Sequence, residues 1–262
     1  MGISTEIGTT TPDAIHVRGL DLSTDILGHF DFVDMICWLA WARRPEPREK
    51  DMLNLLLVTA ADHGLTPSAI SARMTYLGAP ESLQGAVAAG LLGAGSHFLG
   101  TVQNAAELWT RHAKDLADDT TDEAVLACAR ELVRHAREHR QAIPGVGHPI
   151  HVDGDPRVPT LRRVSERNGY FGRHWRLALA VEHVLCVELR KPLPLNAAGA
   201  NGAVMADMGL DPLFGRGLAL IGRAAGLVAH VMEERHAPIG PQVWNLVLAQ
   251  DERNVLKKGA AG

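Results

Sequence analysis

The chain is poor in aromatics, in cysteine and in charge of one sign. Its net charge is −4 over 262 residues, so it has no basic field of the kind that draws in nucleic acid, and no nucleic-acid partner is expected. The three cysteines, Cys37, Cys128 and Cys186, lie far apart in apolar helical patterns with no C-x-x-C spacing. That excludes a disulfide framework and points to reduced, buried thiols in a cytoplasmic protein. No apolar run reaches the roughly 18 residues that a bilayer span needs. The first residues have neither the basic nor the apolar region of a signal peptide. No membrane partner and a cytoplasmic location are therefore expected. Aromatics are only 5% of residues, while Ala, Leu and Val dominate, a balance that favours close helix packing. Convincing period-2 alternation is absent, as are low-complexity blocks and internal repeats. The fold class expected is all-α.

What is present is a succession of helical patterns. At 46% hydrophobic and 21% charged, the composition suits one large globular domain or two smaller ones. Residues 9–18 read as an extended arm. Helices are expected over 30–41, with Asp31 as cap, and from Pro47 to about Ala60. Others are expected over 68–77, 102–116, 124–140, 158–170, 175–190, 203–208 and 216–235. Between 82 and 100 the chain is rich in Gly and Ala, which allows close approach of helices or of a ligand. From His236 onward the tail reads as broken by Pro and Gly, then charged.

The most informative stretch is residues 145–157, Gly-Val-Gly-His-Pro-Ile-His-Val-Asp-Gly-Asp-Pro-Arg. Gly and Pro give this loop a defined shape, and it gathers His148, His151, Asp153, Asp155 and Arg157. Either it is a site or it merely joins two helices. His148 and His151 are three apart, and His135 and His139 four apart. A zinc site would need further ligands, for which Asp153 and Asp155 are available. The preferred reading assigns no metal, and places the helical pair on a solvated face. Arg223 stands in an otherwise apolar helix, so it needs an anionic partner: a substrate carboxylate or an internal acid such as Asp207.

Several short motifs, in order, resemble the citrate synthase superfamily and in particular its citryl-CoA lyase branch, which includes the C-terminal module of ATP-citrate lyase. They are Val-Arg-Gly-Leu-Asp-Leu at 17–22, Ala-Ala-Asp-His-Gly-Leu-Thr-Pro-Ser at 60–68 and Gly-Leu-Leu-Gly-Ala-Gly at 90–95. Further on come Gly-Val-Gly-His at 145–148, Asp-Pro-Arg at 155–157, Leu-Asn at 195–196 and Ile-Gly-Arg-Ala-Ala-Gly-Leu-Val-Ala-His at 221–230. The resemblance covers most of the chain. It implies a large helical domain (1–104 and 196–262), a smaller inserted helical domain (105–195), a homodimer or higher homo-oligomer, and an active site in the cleft. It implies a carbon–carbon lyase that splits a 3-hydroxyacyl-CoA, citryl-CoA or a related ester, into acetyl-CoA and a carbonyl compound. No cofactor would be permanently bound; coenzyme A enters as part of substrate and product.

Such a retro-aldol cleavage needs a group acting on the tertiary hydroxyl, cations for carboxylates and a means of handling the enolate. By the resemblance, His148 acts on the substrate oxygen and His63 hydrogen-bonds the bound acid. Arg157 and Arg223 grip carboxylates through the guanidinium fork. Gly145, Val146 and Gly147 meet the CoA adenine. Arg162 and Arg163 either meet phosphates or form an exposed helix face.

Two departures from the family pattern stand out. Phe98 takes the place of the histidine that citrate synthases carry, with His97 beside it, which argues for lyase chemistry over condensation with hydrolysis. Ala198 takes the place of the aspartate that handles the α-proton of acetyl-CoA. Asn201 orienting a water, His97, Asp153 or Asp155 would then serve instead, or the substrate differs. The alternative is a non-catalytic homologue that binds an acyl-CoA or organic acid, or a partner subunit. Only Arg235 stands near the place of the family's cross-dimer arginine, so a substrate with fewer carboxylates than citrate is a further expectation.

Overall fold

Helices begin where the sequence supplies caps. The computed structural model describes residues 2–254, and the charged end of the tail lies outside the described residues. Helix α1 (Phe32–Trp41) is opened by Asp31, whose carboxylate accepts from Asp34 N while Asp34 accepts from Asp31 N; each satisfies a donor that the first turn leaves unpaired. Pro47 opens α2 (Pro47–Ala61) and Pro67 opens α3 (Pro67–Gly78), each at a first-turn position where the missing N–H costs nothing. Then follow α4 (Leu83–Ala94), α5 (Gly100–His112), α6 (Asp122–Glu138), α7 (Val158–Asn168) and α8 (Arg173–His183). The last three are α9 (Ala197–Asp207), α10 (Pro212–Glu234) and α11 (Gly240–Gln250).

Four elements depart from the sequence reading, one of them α4, a regular helix capped by Ser82 in a stretch that reads only as rich in Gly and Ala. The N-terminal arm is a small antiparallel sheet of β1 (Gly8–Thr10), β2 (Ile15–Val17) and β3 (Leu20–Asp21), with Thr9 opposite His16 and Val17 opposite Leu20. Strands this short show no alternation; the Arg18-Gly19 pair, both at positive φ, was the available signal for the β2–β3 turn. Trp38 Nε1 donates to Val17 O and Arg18 Nε to Leu39 O, both at 2.8 Å, fastening the sheet to α1. The tail after His236 forms α11, because Pro241 falls in a first turn that tolerates it. Helix α9 starts at Ala197 rather than 203, capped by Asn196. Of the thiols, Cys37 is buried, while Cys128 and Cys186 are half-buried; all three are free.

The bundle is predominantly helical. Helix α10 packs on α2, α3, α4 and α5, and α9 packs on α5 and α8. The contact of α10 with α2 depends on Gly222 and Gly226: a methyl group on either would meet Leu57 O or Ala61 O within 2.3 Å. A main core runs through α1, α2, α5, α6, α8 and α9 around the fully buried Trp109 and Trp175. Both indole N–H groups are satisfied, Trp109 by Gly199 O at 3.0 Å and Trp175 by Ser165 Oγ at 3.1 Å. Helix α5 crosses position 104/105 and so joins the two expected domains. A π-helical turn, Gly95–Leu99, separates α4 from α5; such turns often mark functional positions. The stretches Leu83–His112 and Pro212–Glu234 are long and apolar enough to cross a membrane by length and composition, but both are packed into the helical bundle.

Candidate active site

The loop that the sequence singled out is strapped to the start of α9. Asn196 N donates to Gly145 O (2.9 Å), Gly147 N to Pro194 O (2.7 Å) and Asn196 Nδ2 to Gly147 O (2.6 Å), while Val146 and Leu195 form an isolated bridge. Gly145 sits at φ +94°, and a Cβ on Gly199 would stand 2.3 Å from Gly145 O. Only glycine at both places lets loop and helix approach this closely. The strap delivers His148. Its Nδ1 accepts from Ile150 N and His151 N, each at 3.1 Å. With two donors on Nδ1, the ring proton resides on Nε2, and His148 presents a neutral N–H donor.

His63 comes from the α2–α3 connection. The preceding Asp62 accepts from Gly64 N (3.0 Å) and from His230 Nε2 (2.8 Å). His230 in turn accepts at Nδ1 from Arg73 Nε at 3.2 Å and from Arg73 Nη2. Buried Arg73 pairs with buried Glu234 at 2.8 Å and also with Glu233. This network fixes the backbone on which His63 stands, and the sequence reading did not find it. The signal was the Arg, Glu and His residues on otherwise apolar helices. The His63 ring meets His148 edge-on with centroids 5.5 Å apart, and meets His151 at 5.8 Å. His148 and His151 stack at 4.6 Å. Burial, then the charge of Arg157, lowers the pKa of His63; burial, then His151, lowers that of His148. Both rings are therefore neutral at pH 7.

The two arginines differ in state. Arg157 donates from Nε (2.9 Å) and Nη2 (2.7 Å) to Asp155, which also takes Arg157 N (3.1 Å) and Ala197 N (2.9 Å). Burial opposes the Asp155 charge, but Arg157 and these N–H groups hold its carboxyl at about 2. Arg223 is 8% exposed, and its Nε and Nη1 have no partner among the described residues. Burial pulls its pKa down; Asp62 opposes that shift and Arg157 adds to it. Asp207, the internal partner considered from sequence, is engaged elsewhere. It accepts from Gly172 N, His174 N, His174 Nδ1 and Trp175 N at 2.7–3.1 Å, because it caps the start of α8. Asp207 is therefore not the partner of Arg223.

All seven residues picked from sequence (His63, His148, Arg157, Arg223, Gly145, Val146 and Gly147) line one cavity of about 590 Å³. Ala198, Phe98, His97 and Asn201 line it too. Asn201 is 5% exposed and its Oδ1 has no partner among the described residues. Of the other proton carriers considered, Asp153 is exposed, and Asp155 is bound to Arg157 and Ala197. Arg162 pairs with Glu166 at 2.8 Å and Arg163 donates to Thr160 Oγ1 at 3.2 Å; both lie on the exposed face of α7. Arg235 is exposed at the end of α10, and the stacked His135–His139 pair is exposed on α6.

The fold adds His63 to the loop pair seen in the sequence, giving three histidines whose ligating atoms lie within 4.8 Å of one another. A divalent ion would need Nε2 of His148 unprotonated, with Nδ1–H donating outward. The backbone donors at Nδ1 impose the opposite tautomer. In that tautomer His148 offers an N–H, not a lone pair, at Nε2.

Comparison with known proteins adds a family and a fold. Residues 15–241 match the model of the citrate synthase C-terminal domain. The solved structure of a citryl-CoA lyase from Hydrogenobacter thermophilus is 30% identical, with a TM-score of 0.79, covering 99% of this chain and 96% of that one. An ATP citrate lyase from Methanothrix soehngenii, solved with citrate and coenzyme A, shares the fold at 21% identity. Its TM-score is 0.74, and the match covers 90% of this chain and 39% of that one. Citrate synthase 2 of Bacillus subtilis is 25% identical over 193 residues, 72% of this chain and 48% of its own length. The chain spans about half the length of the curated citrate synthases it matches.

Proposed function

Since the chain belongs to the citrate synthase family, we propose that it is a citryl-CoA lyase-like enzyme that cleaves a 3-hydroxyacyl-CoA to acetyl-CoA and a carbonyl compound. The observation that carries this reading is the meeting of two neutral histidines and an unpaired, buried guanidinium in one cavity, beside the Gly145–Gly147 loop. The likeness to the Hydrogenobacter thermophilus lyase along nearly the whole of both chains supports it.

The roles follow from hydrogen bonding. His63, engaged by no hydrogen bond among the described residues, has a free lone pair and takes the proton of the tertiary hydroxyl. His148 donates its Nε2–H to the same oxygen as it becomes a carbonyl. The electron pair of the breaking carbon–carbon bond moves to the α-carbon and forms the enolate of acetyl-CoA. Alanine at 198 offers no acid, so the proton returns to that carbon from the His63 imidazolium, the acid that the first step generates. Arg223 holds a carboxylate of the departing half. Gly145, Val146 and Gly147 form the loop against which the adenine of CoA lies. CoA belongs to substrate and product, and the site needs no resident cofactor. The cavity takes residues from both 1–104/196–262 and 105–195, which supports a site at the junction of the large and small domains proposed for these segments.

We place the enzyme in the cytoplasm as a homodimer or higher homo-oligomer. The apolar side chains of Ile221, Val228 and Met232 on α10, with Trp244, Leu246 and Val247 on α11, are exposed on the single chain. Exposed apolar residues gathered on two helices are the kind of surface that oligomers cover.

A second reading, a non-catalytic acyl-CoA-binding homologue, is favoured by Ala198. A mass-spectrometric assay separates the two. Purified protein is mixed with citryl-CoA and related 3-hydroxyacyl-CoA esters, and acetyl-CoA is followed. Release by the wild type and its loss in His148→Ala is the expected result. Tight binding of an ester with no turnover would favour the non-catalytic reading.

A further inference from the structure

The cavity also bears on which ester is cleaved. Among the described residues, Arg157 and Arg223 are the only lysine, arginine or acidic side chains that line it. The charge of Arg157 is already met by Asp155 through two side-chain hydrogen bonds. Arg223 is unmet: the oxygens of Asp62, the acid that acts on it electrostatically, are taken by His230 and Gly64. One unpaired guanidinium balances one carboxylate. A second carboxylate on the same half would be left buried and unpaired, which is strongly disfavoured.

Beyond Arg223 the wall carries no Lys, Arg, Asp or Glu other than Arg157. On α10, Gly215, Ala219 and Arg223 are spaced four apart and form one stripe facing the cavity. On α9, Ala198, Asn201 and Met205 form the facing stripe. At 1.5 Å per residue, the α10 stripe runs about 12 Å from Arg223 to Gly215. It carries no charge beyond Arg223, and Leu56 and Val102 close it from α2 and α5. Ala198 and Ala219 present only methyl groups there, while at Gly215 the Met205 side chain already fills the place a Cβ would take. The one unpaired acceptor in that wall, Asn201 Oδ1, calls for a donor such as the substrate hydroxyl.

We propose that the departing half of the substrate carries a single carboxylate, held by Arg223, and an apolar alkyl substituent lodged beside Ala219 and Ala198. The substrate class is then the 3-carboxy-3-hydroxyalkanoyl-CoA esters, cleaved to acetyl-CoA and a monocarboxylic 2-oxo acid. The inference takes its reaction from the lyase reading, but its binding component stands on the cavity alone. The step balances as before. The hydroxyl proton passes to His63, the carbon–carbon pair becomes the enolate, the hydroxyl carbon becomes the ketone of the oxo acid, and the proton returns to the α-carbon.

The test has two arms on the full-length protein. In the first, kcat/KM is measured for citryl-CoA and for esters in which its carboxymethyl branch is replaced by methyl, ethyl or propyl. The alkyl esters are expected to exceed citryl-CoA by about tenfold or more. Efficiency should rise about three- to fourfold per added methylene, and Arg223→Met should abolish the activity. In the second arm, calorimetry compares 2-oxopentanoate with oxaloacetate, 2-oxopentanoate binding more tightly and only when Arg223 is present. Preference for citryl-CoA, or indifference to Arg223→Met, overturns the inference and leaves the lyase reading intact. Tighter binding of 2-oxopentanoate without cleavage of any ester supports the inference and removes the lyase reading. No cleavage together with tighter binding of oxaloacetate, or with no binding of either acid, overturns the inference.

Discussion

Replacing Arg223 by methionine should stabilise the empty protein and disable it. The guanidinium is buried with Nε and Nη1 unpaired, and each unsatisfied buried donor costs about 1–3 kcal/mol. Methionine keeps much of the stem's volume and removes both donors and the charge. The lost attraction of Asp62 offsets part of that gain. A net stabilisation of about 1–3 kcal/mol is expected, and at about 2–4 °C per kcal/mol for a chain near this size the ligand-free Tm should rise by several degrees. The same change removes the cation for the substrate carboxylate. Breaking one side of a buried, hydrogen-bonded charge pair costs about 2–5 kcal/mol, so Kd for a 2-oxo acid should weaken by about 30-fold to several thousand-fold. Differential scanning fluorimetry with and without 2-oxopentanoate reads both effects, since a ligand that binds only the folded state raises Tm. The wild type should show the lower starting Tm and the larger ligand shift. If Arg223→Met lowers the ligand-free Tm, or keeps the full ligand shift, then Arg223 is a structural residue with a partner, and the reasoning fails.

Four further outcomes follow from the geometry. Lowered by burial and by Arg157, the His63 pKa lies below its usual 6.5, so the acid limb of kcat/KM should have its midpoint below 6.5 and move upward in Arg157→Met; a limb above 6.5 in the wild type would contradict the assignment. The same depressed pKa makes folding stability constant above the unfolded value and lost as pH falls through the folded one, which urea titrations between pH 7 and 5 will register. Asp155→Asn unpairs Arg157 and weakens the bond from Ala197 N; because Arg157 is a third exposed, a loss of about 2–3 kcal/mol is expected by chemical denaturation rather than the larger cost of a fully buried pair. In Gly199→Ala the new methyl would stand 2.3 Å from Gly145 O, so the strap must open, with a cost of about 1–3 kcal/mol and a higher KM for the CoA ester.

Local chemistry made much of this legible in advance. Asp31, Pro47 and the Gly-Pro loop declare themselves through caps and fixed dihedrals, and the helical patterns of α1 to α3 and α5 to α8 follow; α4 did not, because its Gly- and Ala-rich stretch shows no clear apolar face. The N-terminal sheet did not, because strands of two or three residues are too short for a period to show. The start of α9 was misplaced because Ala197, Ala198 and Gly199 carry no periodic signal; their helix is set by the Asn196 cap and by packing against Gly145. The residues that share the cavity were legible through the order and spacing of the family motifs, but their states were not. That Arg157 is spoken for and Arg223 is not, that Asp207 caps α8, and that His148 has its proton on Nε2 are all facts of three-dimensional hydrogen bonding. The Arg73–His230–Asp62 network joins three distant segments, and no local pattern reveals it.

The most direct test of the central claim is the mass of the products formed in D2O. Wild-type protein is incubated with citryl-CoA and the alkyl esters, and the CoA species are resolved by mass spectrometry. Retro-aldol cleavage with protonation of the enolate predicts acetyl-CoA one mass unit heavier, in step with the 2-oxo acid, and no such product from His63→Asn. Recovery of intact ester, or of free CoA with the unbroken hydroxy acid, would contradict the account.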